Sequence, residues 1–198
     1  MQEKIAQKLT NLAHQLTSQG LSLPVLPVRC TEEAEKAQDL FWMAQALVMA
    51  DVSEQMNEVP VGAVAVWQNQ LVGVGWNQPI ATHDPTAHAE LMALRMAGEV
   101  IGNYRLLEVT LYVTLEPCPM CAGGMVHGRI GRLVYGAADA KTGAVDSVFQ
   151  LLQDKRLNHQ VATQSGVLAE ACGEKLSAFF RRRRQEKKAA RRAEKRTN

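Results

Sequence analysis

Two short segments constrain this chain more than any other part of its sequence. The first holds His88 and Glu90, and the second holds Cys118 and Cys121. One imidazole and two thiolates form a ligand set that suits zinc. Neither segment supplies a fourth ligand, and a zinc site with three protein ligands keeps one position open for water. The nearby carboxylate then provides a base beside that water, which is what a hydrolytic zinc site requires.

The spacing of these four residues predicts where they lie. Cys118 and Cys121 are separated by two residues, so both thiolates can reach one ion from the first turn of a helix, where the dipole favours them. The prolines on either side of Cys118 fit such a helix start. His88 and Glu90 would point about 200° apart in a regular helix, so they share a site only near a helix start or bend. We therefore expect two helix N-termini that face each other across a metal.

A His-x-Glu pair followed by Pro-Cys-x-x-Cys is the known signature of the zinc nucleobase deaminases. In their reaction a zinc-held water attacks the carbon that carries the exocyclic amine, and the glutamate moves the protons. A redox dithiol is one alternative, but it leaves the His-x-Glu pair unexplained. A structural zinc site is another, and it leaves Glu90 without a role. Its fourth ligand would be one of four residues that lack knot-like spacing: Cys30, Cys172, His83 or His127.

Apolar periodicity predicts helices and strands in alternation around the two segments. We expect helices over residues 2–19, 32–55, 87–98 and 121–127, and a last helix after residue 166. We expect strands over residues 61–67, 71–76, 110–114 and 132–136, with a fifth near 160–163. The buried face of the second helix is expected to contain Leu40, Met43, Leu47 and Ala50. Both site segments follow strands, as is usual at the carboxyl edge of open α/β sheets.

The net charge of +2 conceals a strong asymmetry between the C-terminal tail and the rest of the chain. Residues 181–198 hold ten Lys and Arg against two Glu, a net charge of +8. The other residues hold twelve basic against eighteen acidic side chains, a net charge of −6. A basic tail on a mildly acidic body indicates a polyanionic partner such as nucleic acid, although a solvated helix would show the same charge run.

Three regions are expected along the chain: a helical arm and linker over residues 1–31, a zinc-dependent domain over 32–184, and a basic tail over 185–198. With two of the four cysteines assigned to metal, too few remain for a disulfide scaffold, which fits a reducing compartment. No apolar run approaches the ~20 residues of a membrane span. We therefore expect a cytoplasmic protein that does not span a membrane.

Over about residues 32–184 the chain resembles the bacterial tRNA-specific adenosine deaminases of the cytidine-deaminase-like superfamily. The zinc motif alone indicates only the superfamily. The run over residues 112–118 (YVTLEPC) and the loop over 139–144 (DAKTGA) narrow the resemblance to the tRNA enzymes. Further similar segments are residues 58–63 (EVPVGA), 75–77 (GWN), 83–90 (HDPTAHAE), 103–106 (NYRL) and 179–181 (FFR).

The resemblance implies a three-layer α/β/α fold with a five-stranded mixed sheet, to which the N-terminal helix is an extension. It also implies a homodimer that binds one zinc ion per subunit and the anticodon stem-loop of tRNA, and that deaminates the wobble adenosine of an arginine tRNA to inosine. Zinc would lie on His88, Cys118 and Cys121, with Glu90 as the proton shuttle. The remaining implied contacts are Asn77 and the Ala89 backbone on adenine, Asp139 on the anticodon loop, and Arg181, Arg182 and Arg183 on RNA phosphates.

Two other functions remain open from the sequence. The first is deamination of a small substrate, such as guanine or a cytidine nucleotide, through the same zinc motif. The basic tail and the Asp139 loop argue against it, because a small substrate needs neither. The second is a non-catalytic RNA-binding protein that keeps zinc as a structural staple. Glu90 and the open fourth position argue against that function.

Overall fold

The computed structural model describes residues 1–31 and 33–197 and has five strands flanked by helices. The helices are α1 (Gln2–Thr17), α2 (Glu35–Gln55), α3 (Pro79–Thr82), α4 (Ala89–Ile101), α5 (Pro119–Gly128) and α6 (Ala169–Thr197). The strands are β1 (Gly62–Trp67), β2 (Gln70–Trp76), β3 (Val109–Leu115), β4 (Arg132–Ala137) and β5 (Ala162–Gln164). A short 3-10 helix spans Leu151–Gln153.

The strands form one mixed sheet in the order β2-β1-β3-β4-β5. β1 pairs antiparallel with β2 and β3, whereas β3, β4 and β5 run parallel. The β1–β2 hairpin closes through Gln68 and Asn69, whose φ angles of 49° and 56° suit the right-handed twist of its strands. The five-stranded mixed sheet between helices confirms the predicted cytidine-deaminase-like α/β/α fold.

Helices cover both faces of the sheet. α2 and α6 share one face, where Lys175 pairs with Asp51 and Arg182 pairs with Glu54. α4 and α5 pack on the opposite face. Two glycines allow the close approach of helices to sheet: a Cβ on Gly62 would lie 2.2 Å from the Ala46 carbonyl oxygen of α2, and one on Gly75 would lie 2.0 Å from the Ala89 carbonyl oxygen of α4.

The N-terminal arm packs on the body. Ile5 and Leu16 of α1 are each only 2% exposed and join the main hydrophobic core. The linker then follows the outer edge of β2, where the Leu71 N–H donates to the Val28 carbonyl oxygen at 2.9 Å. Covering a strand edge in this way protects it from pairing with other chains. The division into arm, domain and tail stays a prediction, and its boundary at residue 32 lies outside the described residues.

Some sequence-based expectations need correction. The second helix was expected from residue 32 but begins at Glu35. The helix expected over residues 87–98 begins at Ala89 and continues to Ile101. The short α3 was not predicted. Leu40 was expected to be buried but is 43% exposed, because the preceding residue, Asp39, points inward instead. The Asp39 carboxylate accepts two hydrogen bonds from Arg132, at 2.7 and 2.8 Å. Among the described helices, none is long and apolar enough to cross a membrane.

We expect Gly75→Ala to lower the free energy of unfolding by about 1–3 kcal/mol, because the added methyl group would push α4 away from β2. Gly123→Ala in α5 is the matched control, because a Cβ there would meet nothing within 4 Å. The control should be neutral or gain up to ~1 kcal/mol. Urea unfolding measures both variants, and equal midpoints would contradict the proposed close packing of α4.

Candidate active site

The predicted site residues converge at one edge of the sheet, where β2, β3 and β4 end and β1 begins. β2 ends at Trp76, opposite Gly62 at the start of β1. β3 ends at Leu115, opposite Ala137 at the end of β4. From this edge the chain enters α5 directly after β3, and it enters α4 after β2 by way of the short α3. Both helices therefore begin at the edge where β2, β3 and β4 end, as expected for a parallel α/β arrangement.

His88 and Cys118 are the N-cap residues of α4 and α5. Both have extended backbones, with φ and ψ of −80° and 149° at His88 and of −74° and 170° at Cys118. Their carbonyl oxygens accept the first helical hydrogen bonds, from Met92 and Ala122. The extended cap also explains how His88 and Glu90 can approach one site although they are two residues apart. Both segments therefore lie at helix N-termini, as predicted.

The two helix starts bring His88, Cys118 and Cys121 together as a group of potential metal ligands. The His88 Nδ1 atom lies 3.8 Å from the Cys118 Sγ atom and 3.6 Å from the Cys121 Sγ atom. Zinc bonds of ~2.3 Å to sulfur and ~2.0 Å to nitrogen at a tetrahedral angle would place such atoms about 3.6 Å apart. The donor set and its spacing therefore fit a tetrahedral zinc ion with one position left for a non-protein ligand.

A closed four-ligand site is not supported in the described part of the chain. The group of metal-ligand atoms there has three members, and all of them lie within 4.8 Å of one another. The alternative ligands Cys30 and Cys172 are buried elsewhere. Cys30 lies in the linker beside β2, and the sulfur of Cys172 packs against Gly136 of β4.

Hydrogen bonds within the ligand group shift the pKa values of its members in opposite directions. Hydrogen bonds with Cys121 and with His88 lower the pKa of the Cys118 thiol to about 4. The hydrogen bond with Cys118, together with burial, raises the pKa of the Cys121 thiol. The two thiols therefore share one proton, and the hydrogen bond with Cys118 raises the pKa of His88. Metal binding would displace the remaining proton, because thiolates and neutral imidazole are the ligating forms.

Glu90 is the second residue of α4 and contacts the ligand group. Its side chain is only 4% exposed. Burial raises the pKa of this carboxyl, and the nearby charge of His88 partly opposes the rise. Its hydrogen-bond contacts are with its own backbone N–H and with the Cys121 thiol. The carboxyl group is therefore held beside the potential metal ligands in a dry environment.

Asn77 follows directly after β2 and contacts the start of α4. Its Oδ1 atom accepts a hydrogen bond from the Ala89 N–H at 2.9 Å, and its backbone oxygen accepts one from Ser53 at 3.0 Å. The structure therefore brings together the two residues expected to hold adenine. The Ala89 N–H is engaged by Asn77, whose Nδ2 has no hydrogen-bond partner within the described residues.

Asp139 stabilises its own loop. Its Oδ1 atom accepts hydrogen bonds from the backbone N–H groups of Lys141 and Thr142, and its Oδ2 atom accepts one from the Thr142 hydroxyl. Partial burial raises the pKa of this carboxyl, but the hydrogen bonds together lower it by more. The net pKa lies below the usual value, so the group stays ionised. The loop packs beside the cysteine segment, where the Ala144 N–H donates to the Pro117 carbonyl oxygen at 2.8 Å.

The three arginines predicted to meet RNA phosphates differ in their surroundings. Arg182 pairs with Glu54 at 2.6 Å, and its guanidinium lies 5.3 Å from the centre of the Phe179 ring. Arg183 pairs with Glu186 at 3.0 Å. Arg181 is exposed and has no ionic partner among the described residues. Of the three, Arg181 is therefore the one fully available to a ligand.

Comparisons with known proteins agree with this geometry. The model of the MafB19-like deaminase family matches residues 37–184. The chain belongs to this deaminase family. A tRNA-specific adenosine deaminase of Haemophilus influenzae is 56% identical over 139 residues, which cover 70% of this chain and 80% of the relative. This relative confirms the resemblance inferred from the sequence.

Two solved deaminase structures are also similar. One comes from a study of A-to-I editing by tRNA:A34 deaminases at the wobble position of transfer RNA. It is 40% identical, has a TM-score of 0.66, and covers 68% of this chain and 97% of its own. The other is a guanine deaminase from Nitrosomonas europaea, with a TM-score of 0.64 at 18% identity, covering 80% of this chain and 95% of its own. At that identity the likeness shows only that the fold is shared.

Sequence reasoning missed the role of Glu116, which is 2% exposed. Its carboxylate accepts five hydrogen bonds from the loop beside the cysteines. The donors are the N–H groups of Asp139, Val145, Asp146 and Ser147 and the hydroxyl of Ser147. A carboxylate between a buried strand and a cysteine predicted to bind metal was the signal available, because a buried charge requires partners.

We expect Glu116→Gln to lower the free energy of unfolding at pH 7 by about 1.5–3 kcal/mol, because the amide presents a donor to N–H groups that need an acceptor. Burial raises the pKa of Glu116, but its hydrogen bonds together lower it by more, so the net pKa lies below its usual range. The carboxylate therefore stabilises the fold above the unfolded-state pKa of about 4.3 and loses this effect as the pH falls through the folded-state pKa.

The measurement is urea unfolding at several pH values, with the exposed Glu174→Gln as control. The gap between wild type and Glu116→Gln should narrow below about pH 4. A gap that stays constant with pH would show that the charge of Glu116 does not stabilise the loop.

Proposed function

We propose that this deaminase converts adenosine to inosine at the wobble position of tRNA, most simply an arginine tRNA, by zinc-dependent hydrolysis. The observation that carries the proposal is the convergence of His88, Cys118 and Cys121 beside the buried carboxyl of Glu90. The relative from Haemophilus influenzae, a tRNA-specific adenosine deaminase, supports the substrate class. Such a substrate is found in the cytoplasm, which we propose as the location.

In this proposal His88, Cys118 and Cys121 hold the zinc ion, one per subunit. When bound, zinc supplies Lewis-acid activation of water at neutral pH. The chain's own contribution is geometric, because both helix N-termini position the ligands around one point. The unpaired N–H groups of those N-termini also favour the thiolates electrostatically.

Glu90 moves the protons in the proposed reaction. It takes one proton from the attacking water and passes it to the adenine ring nitrogen. It then takes the second proton, from the hydroxyl group now on the attacked carbon, and passes it to the departing amine, which leaves as ammonia. Hydrolysis thus replaces the exocyclic amine with oxygen and leaves the glutamate unchanged. The raised pKa of this buried carboxyl suits a group that must both accept and release a proton near neutral pH.

Asn77 orients the adenine in this proposal. Its Oδ1 atom is fixed by the Ala89 N–H, so its Nδ2 group points in a defined direction and is available as a donor. Ala89 therefore acts through Asn77, by fixing its amide. Splaying a loop base into such a pocket is how proteins usually read single-stranded RNA.

The rest of the anticodon stem-loop would contact the Asp139 loop and Arg181. Asp139 holds its loop in shape, and the loop lies directly beside the cysteine segment. We also propose that the protein acts as a homodimer whose RNA site spans both subunits. A groove of about 610 Å³ between α4 and α5, which includes Leu91, Leu94 and Gly124, offers an apolar surface to a second copy.

A test of the proposed reaction compares wild type with Glu90→Gln on an arginine tRNA transcript that carries a wobble adenosine. Reverse transcription should read guanosine at that position after treatment with the wild type only. The substitution removes the base but keeps the size of the side chain, so the rate should fall by at least about 10²–10⁴. Zinc content, measured in parallel, should be unchanged.

Cys118→Ser is the matched variant for metal binding and should lower zinc content as well as activity. If Glu90→Gln also lost zinc, Glu90 would be a ligand. If the zinc-loaded wild type deaminated only free guanine or cytidine nucleotides, the small-substrate alternative would replace the present proposal. If it bound tRNA without converting it, the protein would be a binding module.

The proposed role of Asn77 is tested with Asn77→Asp. This substitution retains an oxygen for the Ala89 N–H but replaces the Nδ2 donor with a carboxylate oxygen. We expect kcat/KM for tRNA to fall by about 10² or more, and the melting temperature to fall as well, because Asn77 is buried and the new carboxylate would have the Ala89 N–H as its donor. Asn77→Ala should lose activity and also about 1–3 kcal/mol of stability, because the Ala89 N–H loses its partner. Wild-type kcat/KM in Asn77→Asp would show that the amide donor does not touch the substrate.

A further inference from the structure

The last helix continues beyond the part of the chain that matches the deaminase family. The match ends at residue 184, whereas α6 runs to Thr197. Five basic side chains line one groove along this extension: Arg184, Lys187, Lys188, Arg191 and Arg192. We call this surface the basic face. At 3.6 residues per turn these positions fall within an arc of about 140°, so they form one continuous stripe.

The side chains of the basic face are all exposed. None of the five has an ionic partner within the described residues, whereas the nearby Arg182 and Arg183 are paired with acids. Ala189 and Ala190 lie on the other side of the helix by the same spacing. The charges of the basic face are therefore available to a partner and are not used to hold the helix on the body.

The helix that carries the basic face is fixed to both sides of the candidate active site. Near its start, Cys172 packs against Gly136 at the carboxyl end of β4. Further along, Arg182 pairs with Glu54, whose neighbour Ser53 hydrogen-bonds to Asn77. α6 thus runs from the end of β4 to the last turn of α2, which contacts Asn77, and the basic face begins within one turn of the Arg182 ion pair.

We propose that the basic face binds phosphates of the double-helical anticodon stem, beyond the loop that enters the active site. This inference rests on the proposed function. From Arg181 to Arg192 the helix extends about 17 Å, which carries the charges away from the flipped base and past the loop. A rigid row of lysines and arginines neutralises successive phosphates without reading sequence. A membrane surface is disfavoured, because the helix over residues 184–194 has only alanines as apolar residues.

The test compares Lys187→Gln/Lys188→Gln with Lys36→Gln/Lys155→Gln, which removes the same charge from exposed positions on the body. Glutamine keeps the helix, since its helix propensity is close to that of lysine. Fluorescence anisotropy would measure binding to the anticodon stem-loop, and to a single-stranded oligonucleotide of the loop sequence, over a range of KCl concentrations.

For the stem-loop we expect the Lys187 and Lys188 variant to bind on the order of tenfold more weakly at 0.1 M salt. Its slope of log K against log salt should be smaller in magnitude by roughly 1.4–1.8, the effect of two lost phosphate contacts. The control variant should match wild type. On the loop oligonucleotide, both variants should match wild type.

Equal affinities and slopes for the two variants on the stem-loop would overturn the inference. An equal loss on the loop oligonucleotide would also overturn it, because the charges would then bind the loop. Deamination by the wild type is measured separately. If the wild type does not deaminate tRNA but the Lys187 and Lys188 variant binds the stem-loop more weakly, the proposed function is refuted and the basic face remains an RNA-binding surface. An active wild type with an unaffected variant would refute only the basic face.

Discussion

The structure depends on the meeting of two helix N-termini at one edge of the sheet. α4 can approach β2 only because Gly75 has no side chain where the Ala89 carbonyl oxygen passes. That contact places the Ala89 N–H on Asn77 and sets His88 in its extended cap. α5 begins where β3 ends, so the cysteines face the histidine without any long connection. The ligand geometry is thus a consequence of how the helices pack against the sheet.

Two buried carboxyls at this edge have opposite surroundings. Glu116 accepts hydrogen bonds from several N–H groups of one loop, and these lower its pKa although burial acts in the other direction. Glu90 has few such donors, and burial raises its pKa. Environments that separate the pKa values of two nearby carboxyls separate their roles as well. Glu116 stays charged and holds a loop, whereas Glu90 is suited to exchange protons.

The sequence was most informative where the signal was local. Short apolar runs predicted the first four strands, and the fifth was expected near 160–163, two residues before the observed start at Ala162. The spacing of His88, Cys118 and Cys121 predicted their place at helix starts. Reasoning failed where a distant partner decides the conformation. Leu40 is exposed because its neighbour Asp39 binds Arg132, far away along the chain. The hydrogen-bond donors of Glu116 lie in a loop that only the fold brings near.

The basic C-terminal segment is a second case in which the sequence does not show which side chains have partners, whereas the structure does. In the sequence, residues 181–184 are four equivalent arginines. In the fold, Arg182 and Arg183 are paired with acids, and Arg181 and Arg184 are exposed. Because α6 is one helix, Arg182 anchors the same rigid body that presents the basic face. A flexible tail would have to lose conformational entropy on binding, whereas a helix fixed beside the active site holds its charges at a set distance from the reacting base. If the basic face binds the stem as proposed, the ion pair between Arg182 and Glu54 contributes to RNA recognition by orienting charges that it does not itself present.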